Sequence, residues 1–209
     1  MGERNGEIGM AFRYEVRLGG SGGQGLILMG IILAEAVGLY EGRYVAQTQS
    51  YGPEARGGSS KSEVVISDEE IDYPKAEHPD LLLAMNQKSC DDFFADVVPG
   101  GLVVVDSTFL SHLPPVSAFG IPFTRIAREK LNKEVAANIV ALGALTQITP
   151  LVSPQAMRMA LLNRIPAGTE KLNLAALKAG IEAAKRAMKE GPSLAIPTEV
   201  PDKGLLGYY

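Results

Sequence analysis

The chain has 209 residues, 46% of them apolar and 21% charged, so it is long enough to bury one sizeable core and too apolar to be a disordered segment. A formal net charge of −4 argues against a general nucleic-acid binder, which carries a basic stripe, yet leaves room for one local phosphate site. The single cysteine, Cys90, can close no internal disulfide and falls short of the roughly four thiolates of an iron–sulfur cluster, and the two histidines, His78 and His112, stand at no metal-ligand spacing.

Residues 1–11 contain acidic groups and no apolar signal core, and are expected to form a disordered leader. Residues 12–18 alternate apolar and charged side chains, the period of a strand. Residues 19–25 read Gly-Gly-Ser-Gly-Gly-Gln-Gly, and residues 26–39, rich in Leu, Ile, Ala and Met without proline, read as a buried helix. That helix is too short for a membrane span and contains Glu35, so no membrane partner is expected. Residues 43–58 show no apolar period and read as a long polar loop. Residues 62–67 predict a strand. Residues 80–85 form the continuous apolar run of a buried parallel strand, with Asn86 and Gln87 just past its end.

A short helix is expected over 89–98, then a buried strand over 102–105 that closes at Asp106 and Ser107. Residues 119–127 are read as a further strand, centred on 122–126. Helices follow over 132–148, 153–163 and 174–189, the last with Lys178, Lys185, Arg186 and Lys189 on its wetter side. Residues 191–209 read as an extended tail. Strands alternating with helices predict an α/β domain over residues 12–190. Its sheet should be mostly parallel with helices on both faces, and a glycine-rich loop should follow the first strand. A lone thiol fits a cytoplasmic, reducing compartment.

Gly20, Ser21, Gly22, Gly23, Gln24 and Gly25 match G-x-G-x-x-G. Glycines let a backbone approach an anion, and the next helix begins with free N–H groups and a partial positive charge. The plainer reading is a turn that only packs helix against strand. A dinucleotide site needs an acidic residue about 20 positions on, at the end of the second strand. Glu41 has the distance but sits at a helix exit, and no Gly-Lys-Ser/Thr follows the loop, so NAD, FAD and Walker-type ATP sites are discounted.

Among other polar groups, Cys90 is followed by Asp91 and Asp92, which disfavour a thiolate. His78 and His112 read as surface residues. Asp106 either faces a site or caps a turn. The lysine-rich last helix reads as a solvated face or a subunit contact.

The second unusual string is Thr48-Gln49-Ser50-Tyr51-Gly52-Pro53-Glu54-Ala55-Arg56-Gly57-Gly58. Arg56 can hold a carboxylate or phosphate through a forked pair of bonds, Glu54 can pair with Arg56 or with a partner, and Gly57 and Gly58 permit close backbone approach. A turn-rich surface loop with a local ion pair is the plainer alternative.

Taken with residues 19–25, this string resembles the γ subunit of 2-oxoacid:ferredoxin oxidoreductases, and is most similar to the 2-oxoglutarate type. Residues 62–67, Ile71-Asp72-Tyr73-Pro74 and 79–87 extend the likeness, which covers residues 14–148. The resemblance implies a subunit with no catalytic residue or metal of its own. Its complex decarboxylates a 2-oxoacid, forms an acyl-CoA and reduces external ferredoxin. Thiamine diphosphate would sit mainly on the β subunit with help from α, and iron–sulfur clusters on β or on a ferredoxin-like δ subunit. This chain would contact coenzyme A, with backbone N–H groups of Ser21 to Gly25 at the pyrophosphate and Arg56 adding charge. Gln49, Tyr51, Asn86 and Gln87 would add hydrogen bonds, with Glu54, Gly57 and Gly58 completing the surface. Two other readings are a free-standing nucleotide-binding oxidoreductase and a purely structural assembly domain.

Overall fold

The alternating residues Arg13–Gly20 form strand β1, around which the computed structural model, describing residues 12–50, 59–112 and 116–192, arranges the other elements. They are α1 (Leu26–Glu35) with a π-helical turn Ala36–Tyr40, β2 (Tyr44–Ser50), β3 (Ser60–Ser67), β4 (Leu81–Ala84) and α2 (Gln87–Phe93). Next come β5 (Leu102–Asp106), β6 (Ala118–Ile121), α3 (Phe123–Leu131), α4 (Ala137–Ile148), α5 (Pro154–Arg164) and α6 (Glu170–Glu190). The strand order is β2-β3-β1-β4-β5-β6. β1, β4, β5 and β6 are parallel neighbours, while β3 runs antiparallel to both β1 and β2. The mostly parallel α/β sheet is therefore present, with one reversed strand.

Successive residues of β4 feed opposite faces of the sheet. Leu81 and Leu83 join Val16, Leu18, Val64, Ile66 and Val104 beneath α1, α4, α5 and α6. Leu82 and Ala84 join Val103, Val105 and Cys90 on the thinner face beneath α2. A strand buried on both sides needs apolar residues at every position, which is why this run is continuous in the sequence. α4 and α6 cross with their backbones in contact: a Cβ on Gly143 would lie 2.9 Å from the Leu177 carbonyl carbon, and one on Gly180 would lie 2.8 Å from that of Val140.

Five elements differ from the sequence reading, among them α6, which begins at Glu170 rather than at residue 174. Residues 44–50 are not loop: Tyr44–Ser50 is a strand, each residue in register with β3, so Gln49 lies on a strand. As the edge strand it keeps both faces partly solvated, and an apolar period is not required of it. The strand expected near 122–126 is Ala118–Ile121, and Phe123–Leu131 is helical. Pro122 sits at the N-cap of α3, just before a first turn whose N–H groups lack intrahelical partners. Asn132, at φ 51, is left-handed and ends α3, so the helix expected from 132 begins at Ala137 after a 3₁₀ turn. α2 starts at Gln87 rather than Ser89, because Asn86 caps it through a bond from the Ser89 N–H.

Glu35 is buried on α1, where it accepts a 2.9 Å bond from Asn163 and pairs with Arg164. Burial alone would raise its pKa, but the bonds from Asn163 and Arg164 and the Arg164 charge outweigh it and hold the carboxyl below the usual range. Its ionised form stabilises the fold above the unfolded-state pKa, and that contribution is lost as pH falls through the folded value. Glu35→Gln is expected to flatten the acid limb of the melting temperature plotted against pH. An acid limb identical to that of the parent protein would show that this carboxylate carries no acid-range stability.

Candidate functional site

β1 and β4 are adjacent and parallel, but the chain leaves them in opposite directions. From β1 it passes through α1 to β2 and β3 on one side, and from β4 it passes through α2 to β5 on the other. α1 and α2 pack on opposite faces. The carboxyl ends of β1 and β4 therefore bound a switch-point crevice, the usual ligand position of open α/β sheets. The glycine loop follows β1 and Asn86 follows β4, so both open on this crevice.

β1 continues through Gly20, which leaves residues 21–25 as the loop. Gly23 and Gly25 have φ of 88° and 74°, a region that side chains rarely tolerate. Gly25 is the N-cap of α1, with no side-chain capping bond and no acidic residue in the first turn, so the helix start keeps its partial positive charge. A Cβ on Gly20 would meet Gln24 Oε1 at 2.6 Å, and one on Gly25 would collide with the Asn138 amide of α4. At Gly22 and Gly23 nothing lies within 4 Å. The packing and open-backbone readings thus both apply, at different glycines. A cavity of about 240 Å³ between Gly22, Ile27 and Ser60 flanks the loop on one side. Another of about 280 Å³, between Gln24, Phe109 and Asn138, flanks it on the other.

Side chains clamp the loop. The Ser21 N–H donates to Gln24 Oε1 at 2.7 Å, and Gln24 Nε2 donates to the Met85 carbonyl at 3.3 Å. Asn86 Nδ2 donates to Ser21 Oγ at 2.7 Å and to Gln24 Oε1 at 3.2 Å. Gln87 also turns to protein groups: it donates to Asp91 at 2.8 Å and accepts the N–H of Ser111 at 2.9 Å.

Tyr51, Glu54, Arg56, Gly57 and Gly58 lie outside the described residues, as do residues 1–11, where a leader is expected, and residues 193–209 of the tail expected over 191–209. The anchors of the second motif are described. Ser50 pairs with Lys61, and Ser60 pairs with Gly20, so the segment returns beside the end of β1. Ser59 Oγ donates to Asp92 on α2, and this bond, with help from Lys88, holds the Asp92 carboxyl below its usual range against burial.

The other candidates resolve toward structure. Asp106 is buried and accepts the N–H groups of Thr124 and Thr108, each at 3.0 Å, so it caps rather than faces the crevice. Burial first, and Asp91 second, push the Cys90 thiol up to about 11, which leaves it protonated at neutral pH. Glu41 accepts the Ser153 N–H at 2.8 Å. His112 is exposed, as expected for a surface residue, but its Nε2 sits 3.2 Å from Asp91 and 3.0 Å from Gln87 Nε2. No local pattern links residues so far apart in sequence. Among the described residues no three His, Cys, Asp or Glu side chains group as a metal site, and no helix is long and apolar enough to cross a membrane.

The family model described as pyruvate ferredoxin/flavodoxin oxidoreductase matches residues 15–183. The chain is 51% identical over 177 residues to the 2-oxoglutarate synthase subunit KorC of Methanocaldococcus jannaschii, an overlap of 83% of this chain and 95% of that one. It superposes on the γ subunit of a keto/oxoacid ferredoxin oxidoreductase from Geobacter sulfurreducens with a TM-score of 0.78 and 45% identity, covering 85% of this chain and 99% of the other. The 2-oxoglutarate:ferredoxin oxidoreductase of Magnetococcus marinus, solved with 2-oxoglutarate, coenzyme A and succinyl-CoA, gives a TM-score of 0.74 at 25% identity, over 83% of this chain and 31% of that one.

Proposed function

The chain belongs to the pyruvate ferredoxin/flavodoxin oxidoreductase family, and on that premise we propose that, as the γ subunit of a 2-oxoglutarate-type complex, it holds coenzyme A at the switch-point crevice. In such a complex the 2-oxoacid loses one carbon as carbon dioxide, its acyl group forms a thioester with coenzyme A, and the two electrons released pass to ferredoxin. Thiamine diphosphate, carried by the α and β subunits, supplies the carbanion stabilisation that decarboxylation needs. One cysteine does not provide the thiolate set of an iron–sulfur cluster, so those centres are assigned to β or to a ferredoxin-like δ subunit. A cytoplasmic location belongs to the same reading.

The observation that carries the proposal is the meeting of the glycine loop with the anchors of the second motif at one sheet edge. Unblocked backbone at Gly22 and Gly23, beside the start of α1, suits a pyrophosphate. The two flanking cavities leave room for the groups on either side of it. Arg56 brings positive charge from the second motif, and Glu54, Tyr51, Gly57 and Gly58 form the rest of that surface. The Magnetococcus relative solved with coenzyme A supports the ligand class.

A dinucleotide reading fits poorly. The strand after α1 is β2, which runs in the same direction as β1 but lies two positions from it with the reversed β3 between them, so an acidic residue at its end does not stand on the strand next to β1, as a dinucleotide fold requires.

Arg56→Ala, assembled into the complex, is expected to raise the KM for coenzyme A about tenfold, the loss of one charge-assisted contact, with the KM for the 2-oxoacid unchanged. Unchanged coenzyme A kinetics would remove Arg56 from the site.

A further inference from the structure

The two polar ends of the Asn86 side chain do different work. Its Oδ1 accepts the Ser89 N–H at 2.8 Å and so caps α2, while Ser89 Oγ donates back to the Asn86 carbonyl at 3.0 Å. Its Nδ2 crosses the crevice to Ser21 Oγ at 2.7 Å and Gln24 Oε1 at 3.2 Å. Gln24 Oε1 also takes the Ser21 N–H at 2.7 Å, so three groups converge on one oxygen-lined knot beneath the glycine loop. α2 is itself seated against β1: a Cβ on Gly19 would meet Phe93 Cδ2 at 2.9 Å and the Ser89 Cβ at 3.1 Å. The start of α2 thus fixes one end of the clamp, and the clamp fixes the loop.

We propose that Asn86 is a positioning residue, which holds residues 21–25 in the anion-receiving conformation by tying them to the capped start of α2. It does not itself touch coenzyme A. Glycines at 22, 23 and 25 leave a loop with much conformational freedom to lose on binding, and a clamp that removes that freedom beforehand improves affinity without altering the chemistry. The inference rests on coenzyme A binding at this loop.

The test separates the two ends of the side chain. Asn86→Ser keeps a good N-cap for α2 but is too short to reach Ser21. Asn86→Ala removes cap and clamp together. Gly22→Glu places a carboxylate in the open space of the loop without a packing clash, and tests whether coenzyme A is there at all. All three are measured in the assembled complex, with KM for coenzyme A, KM for the 2-oxoacid, kcat and melting temperature.

Asn86→Ser is expected to raise the KM for coenzyme A about three- to tenfold, the worth of one or two net hydrogen bonds, with kcat, the 2-oxoacid KM and the melting temperature retained. Asn86→Ala should show the same KM change and a lower melting temperature. If Gly22→Glu raises that KM and Asn86→Ser does not, the clamp role is wrong while the ligand assignment stands. If neither changes it, coenzyme A is not at the loop and both fall. If Asn86→Ser lowers kcat and weakens both substrates alike, Asn86 has a general structural role and the proposal is overturned.

Discussion

Gly180→Val is expected to destabilise the protein by about 3 kcal/mol or more, as overpacking does when neither neighbour can yield. Two effects oppose each other here. Removing a helical glycine should gain a few tenths to about 1 kcal/mol from better helix propensity. The new side chain, however, would start on the Val140 carbonyl of α4 and within 2.9 Å of the Ala144 nitrogen, both of them backbone. A flexible side chain could move aside, but a helix backbone can do so only by separating α4 from α6. Gly143 faces the same contact from the other helix, against Leu177 and Ile181. The consequence reaches the crevice, because α4 brings Asn138 against Gly25. Urea denaturation of the variant should show a lower midpoint. A midpoint equal to that of the parent protein would mean that the helices do not cross at these glycines.

Arg17→Met is expected to cost about 3–5 kcal/mol, the range for breaking one side of a buried ion pair. Arg17 is 3% exposed and Glu63 is 5% exposed, and they are joined at 2.7 Å across β1 and β3. Arg17 also donates to the Ala76 carbonyl at 2.7 Å, pairs with Asp96 just after α2, and lies 5.4 Å from the centre of the Phe93 ring. Its loss leaves Glu63 with Lys61 alone and an unmet carbonyl at Ala76. The desolvation cost of that carboxylate, rather than the lost attraction, sets the size of the effect. Arg17→Met combined with Glu63→Met should therefore be less destabilised than Arg17→Met alone. Simple additivity of the two single changes would contradict this account of the network. Because Arg17 fastens the α2 face of the sheet, the single variant should also loosen the clamp at Asn86.

Much of this was legible in the sequence where a local pattern coincides with a structural demand. The strand over β1, the glycine loop after it and the all-apolar β4 each have a local cause, and each is found, with the loop shortened to residues 21–25 because β1 runs on through Gly20. The elements that local patterns do not reveal have causes elsewhere in the fold. β2 is polar because it is an edge, and only pairing with β3 makes it a strand. Pro122, flanked by apolar residues that suggest a strand, stands at the threshold of α3. The glycine motif was legible as a loop, but its clamp was not. That clamp depends on Asn86 and Met85, which are more than sixty residues away along the chain. The likeness of the second motif to a known family pointed to a partner ligand that residue patterns alone left open.

The most direct measurement of the central claim is a coenzyme A titration of the assembled complex carrying Gly22→Glu. A carboxylate in the open part of the loop is expected to weaken coenzyme A binding about tenfold or more through like-charge repulsion, while leaving 2-oxoacid binding as in the parent complex. Equal coenzyme A affinity in the two complexes would contradict the claim that this chain receives the pyrophosphate at the switch-point crevice.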